Sequence, residues 1–229
     1  LKIDHNSSDN TKSALISDNK SMILKDVINI FRHPNNKKLY VMNNKTMYSR
    51  SIFRIDEESG EKTIVSSNSL NPSTPLIESH AYPTAHSSDT EIFLVASDEI
   101  ISVNVESGVR SVVSSDSVGS GASLASIKGL ATDGTSIFAI SASADTLYMI
   151  DKANGNRSVL SSSMVGAGEF FSSPVNMVLD DLNDTFYVLE NTYILGVDKA
   201  NGQRVRISGN STGSGESYVK LKQAQLSSD

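Results

Sequence analysis

An all-β fold, a β-propeller of about five four-stranded antiparallel blades, is predicted by three features of this 229-residue sequence. The first is a repeat. "DKANGNRSVLS" at 151–161 returns as "DKANGQRVRIS" at 198–208, and the glycine of this motif recurs at Gly60, Gly108, Gly155 and Gly202, spaced 48, 47 and 47. The second is the content of one period. "GLATD" (129–133), "SIFAI" (136–140), "LYMID" (147–151) and "RSVLS" (157–161) are four short apolar or β-branched runs separated by turn residues. Four strands in such a period is the arithmetic of a propeller blade. The third is that no window carries a sustained 3.6-residue apolar period, which excludes a helical solenoid. Six blades is the alternative count, if the chain belongs to a longer one.

Along the chain, residues 1–17 read as half a blade, because "IDHNSSDNTKSALIS" at 3–17 is a degraded copy of the motif with Ile3-Asp4, Lys12 and Ser17. Full blades follow at 18–66, 67–114, 115–161 and 162–208, and 209–229 supplies the first strand of the closing blade. The whole is one domain. Apolar residues recur five before each motif glycine (Ile55, Val103, Ile150, Val197) and eight before it (Ile52, Ile100, Leu147, Ile194). A base stands two after it (Lys62, Arg110, Arg157, Arg204), then an aliphatic–serine pair (Val65-Ser66, Val113-Ser114, Leu160-Ser161, Ile207-Ser208). A second marker, "GSG" or "GAG" at 119–121, 166–168 and 213–215, keeps the same period.

Blades stack face to face, so the recurring aliphatics are expected between them and Lys152 and Lys199 in solvent. The hairpin joining a blade's third and fourth strands reads as a three-residue connection, Ala153-Asn154-Gly155, closed by a left-handed glycine. That register sets Asp151 opposite Arg157. Such a cross-strand ion pair contributes roughly 0.2–1 kcal/mol, and charge on an outermost strand discourages edge association.

Composition narrows the function classes. The chain is 38% hydrophobic, enough for a core, and 40 of its residues are serine. With 20 basic and 26 acidic residues and no Lys/Arg-rich run, it lacks the electrostatic footprint of a nucleic-acid binder. No cysteine is present, so disulfides and thiolate metal sites are excluded. The longest apolar run, "IFLVA" at 92–96, is far too short for a membrane helix, so no membrane insertion is expected. A start at Leu1 reads as a processed or trimmed chain.

Candidate site residues are polar groups near the rims. The densest cluster is "ESHAYPTAH" at 78–86, with Glu78, His80, Tyr82 and His86. A Glu-x-His pair can ligate a divalent metal, and strand alternation produces the same spacing by accident. Counting back from the second strands sets His86 at the place of Ala131 on an innermost strand, and His33 at the equivalent place one blade earlier. Two imidazoles facing a channel would bind a metal or move a proton; the other reading is two polar residues beside channel water. Asn43 and Glu190 fall at the ends of second strands. Glu169 and Glu216 follow equivalent Gly-x-Gly turns, with Phe170, Phe171 and Tyr218 beside them, a pairing that suits sugar or peptide binding or packs structurally between blades. No serine nucleophile stands out, since G-x-S-x-G is absent, and no catalytic residue is assigned.

"KGLATD" (128–133), "SPVNMVLD" (173–180), "KLYVMN" (38–43), "TFYVLE" (185–190) and "GVDKANG" (196–202) resemble the repeats of the NHL and SMP-30-like β-propellers. The resemblance covers most of the chain and is specific for fold rather than function, since such propellers include lactonases, lyases and interaction modules. Where the pattern has Asp after L-Y-V-x, this chain has Asn43, Ala96, Ser141 and Glu190. The metal-binding Glu/Asn/Asp set of the lactonase branch has no matching positions here, which argues against a gluconolactonase-type activity. The expectation is a non-catalytic binding or scaffold propeller of a bacterial secreted or periplasmic kind. It would recognise a protein, peptide or glycan at the channel mouth, with no cofactor. The alternative is a propeller enzyme, a metal-assisted hydrolase or lyase, working near Glu78, His80 and His86.

Overall fold

A computed structural model describes residues 27–33, 35–43, 50–69, 84–85, 90–218 and 220–221. They form four four-stranded antiparallel sheets and no helix. The first sheet is β1 (Val27–Arg32), β2 (Leu39–Asn43), β3 (Ser51–Ile55) and β4 (Lys62–Ser67). The second is β5 (Thr84–Ala85), β6 (Glu91–Ala96), β7 (Glu99–Asn104) and β8 (Arg110–Ser114). The third is β9 (Ile127–Thr132), β10 (Ser136–Ser141), β11 (Thr146–Asp151) and β12 (Arg157–Ser161). The fourth is β13 (Asn176–Asp180), β14 (Thr185–Leu189), β15 (Tyr193–Asp198) and β16 (Arg204–Gly209). Each sheet is a meander in chain order. First strands of successive sheets lie side by side, β9 against both β5 and β13, so the fourth strands are outermost.

The second strands β6 and β10 are apolar along their middle because both of their faces are covered. Ile92, Leu94 and Ala96 of β6 pack on Tyr40, Met42 and Ile52 of the first sheet, while Phe93 and Val95 pack on Ile137, Ala139 and Tyr148 of the third. The third and fourth sheets meet in the same way, with Phe138, Ile140 and Leu147 against Phe186, Val188 and Leu195. The run "IFLVA" is thus a strand sandwiched between two neighbours. Ile52, Ile100, Ile150 and Leu147 are fully buried as expected, and Leu160 is half-buried.

Every third-to-fourth strand pairing carries a bulge at the same place. Ser66, Ser114, Ser161 and Ser208 oppose Ile52, Ile100, Leu147 and Ile194, and the next residue down the fourth strand is skipped. The skipped residues are Val65, Val113, Leu160 and Ile207, the repeated aliphatics. A bulge re-aims its side chain. Val65, Val113 and Leu160 each turn toward the core shared with the following sheet, and Ile207 is half-exposed.

The hairpin differs from expectation in register. The loop has four residues, Lys152 to Gly155, closed by Gly155 N–H donating to Asp151 O at 2.8 Å and Asp151 N–H to Asn156 O at 2.9 Å. Gly60, Gly108 and Gly202 close the other three loops identically, and all four glycines hold φ between 70° and 75°. The left-handed glycine is therefore as expected. The extra loop residue moves Asp151 out of line with Arg157, which pairs with Ile150. Asp151 instead folds over its own loop, accepting from Ala153 N–H at 2.8 Å, as Asp56, Asn104 and Asp198 do in theirs.

Candidate functional site

The arginine two after Gly108, Gly155 and Gly202 is buried and points into the preceding sheet. Arg157 Nη1 donates to Ser114 Oγ at 2.9 Å and Ser115 O at 2.7 Å, Nε to Ala122 O at 2.6 Å, and Arg157 N–H to Ser120 O at 2.7 Å. Ser114 Oγ in turn donates to Gly155 O at 2.7 Å. The same clasp joins the third and fourth sheets. Arg204 Nη1 donates to Ser161 Oγ at 2.5 Å, Nε to Glu169 O, and Ser161 Oγ to Gly202 O at 2.6 Å. Between the first and second sheets, Arg110 donates to Ser66 Oγ at 2.6 Å and Ser66 to Gly108 O at 2.7 Å. Burial lowers the pKa of Arg110 and Arg204 from the ordinary guanidinium value. The repeated Gly-x-Arg and the repeated serine are two halves of one inter-sheet contact.

The Gly-x-Gly turns are the floor of this clasp. A Cβ on Gly119 or Gly166 would overlap the carbonyl of Gly155 or Gly202, and one on Gly121 or Gly168 that of Arg157 or Arg204. Only glycine lets the two backbones approach this closely, and both turns also need positive φ. The lysine of the hairpin adds a half-buried contact to the preceding sheet, correcting its expected solvation. Lys152 reaches Glu91 at 2.6 Å and Lys199 reaches Asp133 at 3.2 Å, each near a buried ring, Phe93 or Phe138.

Glu169 is therefore on the outer wall rather than at a channel mouth. Its carbonyl belongs to the Arg204 clasp, and its carboxylate pairs with Arg206 of the outermost strand β16 at 2.6 Å. The clasp brings each of these hairpins against the loop leading into its own sheet. Phe171 lies beneath Arg204, with 5.4 Å from guanidinium carbon to ring centroid, whereas Phe170 is 64% exposed. Met164 and Val165 of the same loop are also exposed. Glu216 is exposed, and the Tyr218 hydroxyl lies 3.0 Å from Ser208 Oγ.

His33 is buried and spends both ring nitrogens on backbone. Nε2 bonds Glu91 O at 3.0 Å, and Nδ1 accepts from Asn35 and Asn36 N–H at 3.3 and 3.4 Å. It follows β1, inside the hairpin, and does not face a channel. The count slipped by two residues because six residues separate Arg32 from its partner Leu39, against four between Thr132 and Ile137. Thr84, paired with Phe93, stands at the place of Ala131, paired with Phe138. Glu78, His80, Tyr82 and His86 lie outside the described residues.

The ends of the second strands hold backbone in place. Asn43 Oδ1 accepts from Ser51 N–H at 2.9 Å, and Ser141 Oγ donates to Ala125 O at 2.6 Å. The Glu190 carboxylate accepts from Ser173 N–H at 2.5 Å and from Ser172 N–H at 3.3 Å. Burial raises the Glu190 pKa above its ordinary value, those N–H groups oppose the rise, and Asp145 adds to it. One oxygen of Asp145 is itself buried without a hydrogen-bond partner. No group of three His, Cys, Asp or Glu side chains fit for a metal ion occurs among the described residues.

No family model and no curated protein matches the chain. Solved structures do. A nidogen/laminin complex aligns with TM-score 0.58 at 16% identity, over 81% of this chain and 66% of that one. PorZ, a bacterial surface component of the type-IX secretion system of Porphyromonas gingivalis, aligns with TM-score 0.57 at 14% identity, over 82% and 23%. The extracellular domain of the putative hybrid two-component system BT4673 of B. thetaiotaomicron aligns with TM-score 0.55 at 12% identity, over 85% and 23%. The likeness is one of fold, of the β-propeller type, and the chain spans less than two thirds of each of these proteins.

Proposed function

We propose that the chain is a non-catalytic binding or scaffold module of an extracellular or periplasmic β-propeller. It has five blades, with 1–17 and 209–229 supplying the split one, and recognises a protein, peptide or glycan through the loops leading into each blade. The observation that carries this reading is the loop from Ser162 to Phe171. Met164 and Phe170 stand 89% and 64% exposed on backbone that Arg204 clamps, beside the Glu169–Arg206 ion pair. Exposed apolar anchors on a rigid loop with a charged flank are what a protein interface requires. Two of the similar structures are named as surface or extracellular components, and a third as a protein–protein complex, which fits this setting. No helix among the described residues is long and apolar enough to cross a membrane.

The test is a displayed-peptide and glycan array probed with the full chain and with Phe170→Ala. A ligand whose affinity falls about tenfold in Phe170→Ala supports the reading, the size expected of one interface anchor. Metal bound in stoichiometric amount and lost in Glu78→Ala/His80→Ala, together with turnover of an ester or lactone, overturns it in favour of the enzyme.

A further inference from the structure

Two copies of one loop differ in what they display. Residues 115–124 lead into the third sheet and 162–171 into the fourth, and their backbones match. Ser115 N–H donates to Val118 O at 3.0 Å, and Ser162 N–H to Val165 O at 2.8 Å. Gly119 and Gly121 hold φ 80° and 113°, Gly166 and Gly168 75° and 102°. One guanidinium then gathers each loop. Arg157 bonds the carbonyls of Val118, Gly121 and Ala122, and Arg204 those of Val165, Gly166 and Glu169. The two ends of the loop therefore converge, and residues 164 and 170 leave it from backbone held around one group. Yet the earlier loop exposes Ser117, Ala122 and Ser123, while the later one exposes Met164, Glu169 and Phe170, each 47 residues on. The next residues, Leu124 and Phe171, are both buried. The polar spelling satisfies the fold, so the apolar pair and its carboxylate serve something other than folding.

We infer that the loop at 162–171 docks a protein segment presenting an apolar side chain beside a lysine or arginine, and that its copy at 115–124 docks none. The inference rests on the binding reading above and names the partner's chemistry and the single junction that takes it. A protein segment suits the patch better than a sugar does. Met164 offers no flat ring face for a sugar to stack on, whereas its unbranched thioether adapts to protein side chains. The basic neighbour follows from charge. Glu169 Oε2 takes both Arg206 Nε at 2.9 Å and Nη2 at 2.6 Å, while Oε1 accepts no hydrogen bond among the described residues. Arg206 lies back on Tyr193, 4.1 Å from guanidinium carbon to ring centroid, and is the less exposed of the pair, its side chain at 26% against 42% for Glu169. The charge facing outward beside Phe170 is therefore the carboxylate's. In the earlier copy Ala122 and Val159 stand in place of this ion pair. The chain's net charge of −6 adds attraction for a cationic partner at longer range.

The test selects a displayed library of random peptides on the full chain, with a glycan array alongside. Selected peptides are expected to pair an aromatic or aliphatic residue with an adjacent Lys or Arg. Met164→Ser/Phe170→Ser gives this loop the spelling of its neighbour, so thermal unfolding should stay unchanged while affinity for a selected peptide falls by about tenfold or more. Glu169→Ala, also the neighbour's residue, should weaken that peptide about fivefold and flatten the salt dependence of its binding. Selected peptides without a basic residue, affinity unmoved by Met164→Ser/Phe170→Ser, or no peptide captured at all overturn the inference. So does a dimer of the chain that this variant dissociates, since a second copy would then be the occupant. Glycans captured through Phe170 overturn it as well but leave the broader binding reading standing, whereas ligands captured with Phe170 uninvolved sink both.

Discussion

Arg157 has uncharged oxygens as its partners, and it is buried among them. Its planar fork serves Nε, Nη1 and Nη2 at once, which a lysine's single ammonium cannot do. Arg157→Lys is expected to cost about 2–3 kcal/mol in urea unfolding, and Ser114→Ala about 1–2 kcal/mol. The double variant should lose less than the sum, because the two side chains share one hydrogen bond. Glu190 sets a pH dependence of definite sign. Its folded pKa is raised by burial, so its contribution is fully present below the ordinary carboxylate range and is lost as pH rises through the raised value. Glu190→Gln should flatten that fall. Asp133 does the reverse: burial works to raise its pKa, but the N–H groups of Ser136 and Thr135 and the Lys199 ammonium outweigh it and hold it low. Stability from Asp133 is therefore lost on acidification, and Asp133→Asn should remove that loss in thermal unfolding measured across pH. Base and serine were visible in the sequence, but their partnership was not. Ser114 and Arg157 are 43 residues apart, and a reading confined to one hairpin paired the arginine with Asp151 instead.

Among elements, the hairpin and the bulge carry the repeat. A four-residue loop needs one left-handed residue, and an alanine forced there costs roughly 1–2 kcal/mol. Gly60 and Gly155 separate that cost from close packing. Both have positive φ, yet a Cβ at Gly60 meets nothing within 4 Å while one at Gly155 runs into the carbonyl of Val113. Gly60→Ala should therefore lose only the backbone cost, and Gly155→Ala clearly more, by denaturant midpoint at constant slope. The strands themselves were legible because their apolar runs are short and turn-bounded. Loop length was not, since neither "KANG" nor the hairpin after β1 advertises its register. The two extra residues around His33 moved an expected channel residue into a buried hairpin, and one extra residue turned Arg157 to the other side of its strand.

At the scale of the whole molecule, the described residues form four sheets of one pattern joined at three junctions, each with the same apolar layer and the same clasp. Their number within the sequence was legible from the period alone, because one period must bury both faces of a sheet against its neighbours. The site was less legible. Exposure of Met164 and Phe170 depends on which side of the clamped loop each side chain leaves, and nothing in the local spelling distinguishes Phe170 from the buried Phe171. The clasps have a mechanical consequence. Each ties the end of one outermost strand to the hairpin of the next sheet, so the links lie in series along the chain. Drawn apart by its ends in a force-extension experiment, the molecule should yield sheet by sheet. Each rupture would free one repeat of 47 residues, roughly 160 Å of extended chain, and Arg157→Lys would lower a single force peak while leaving the others at full height.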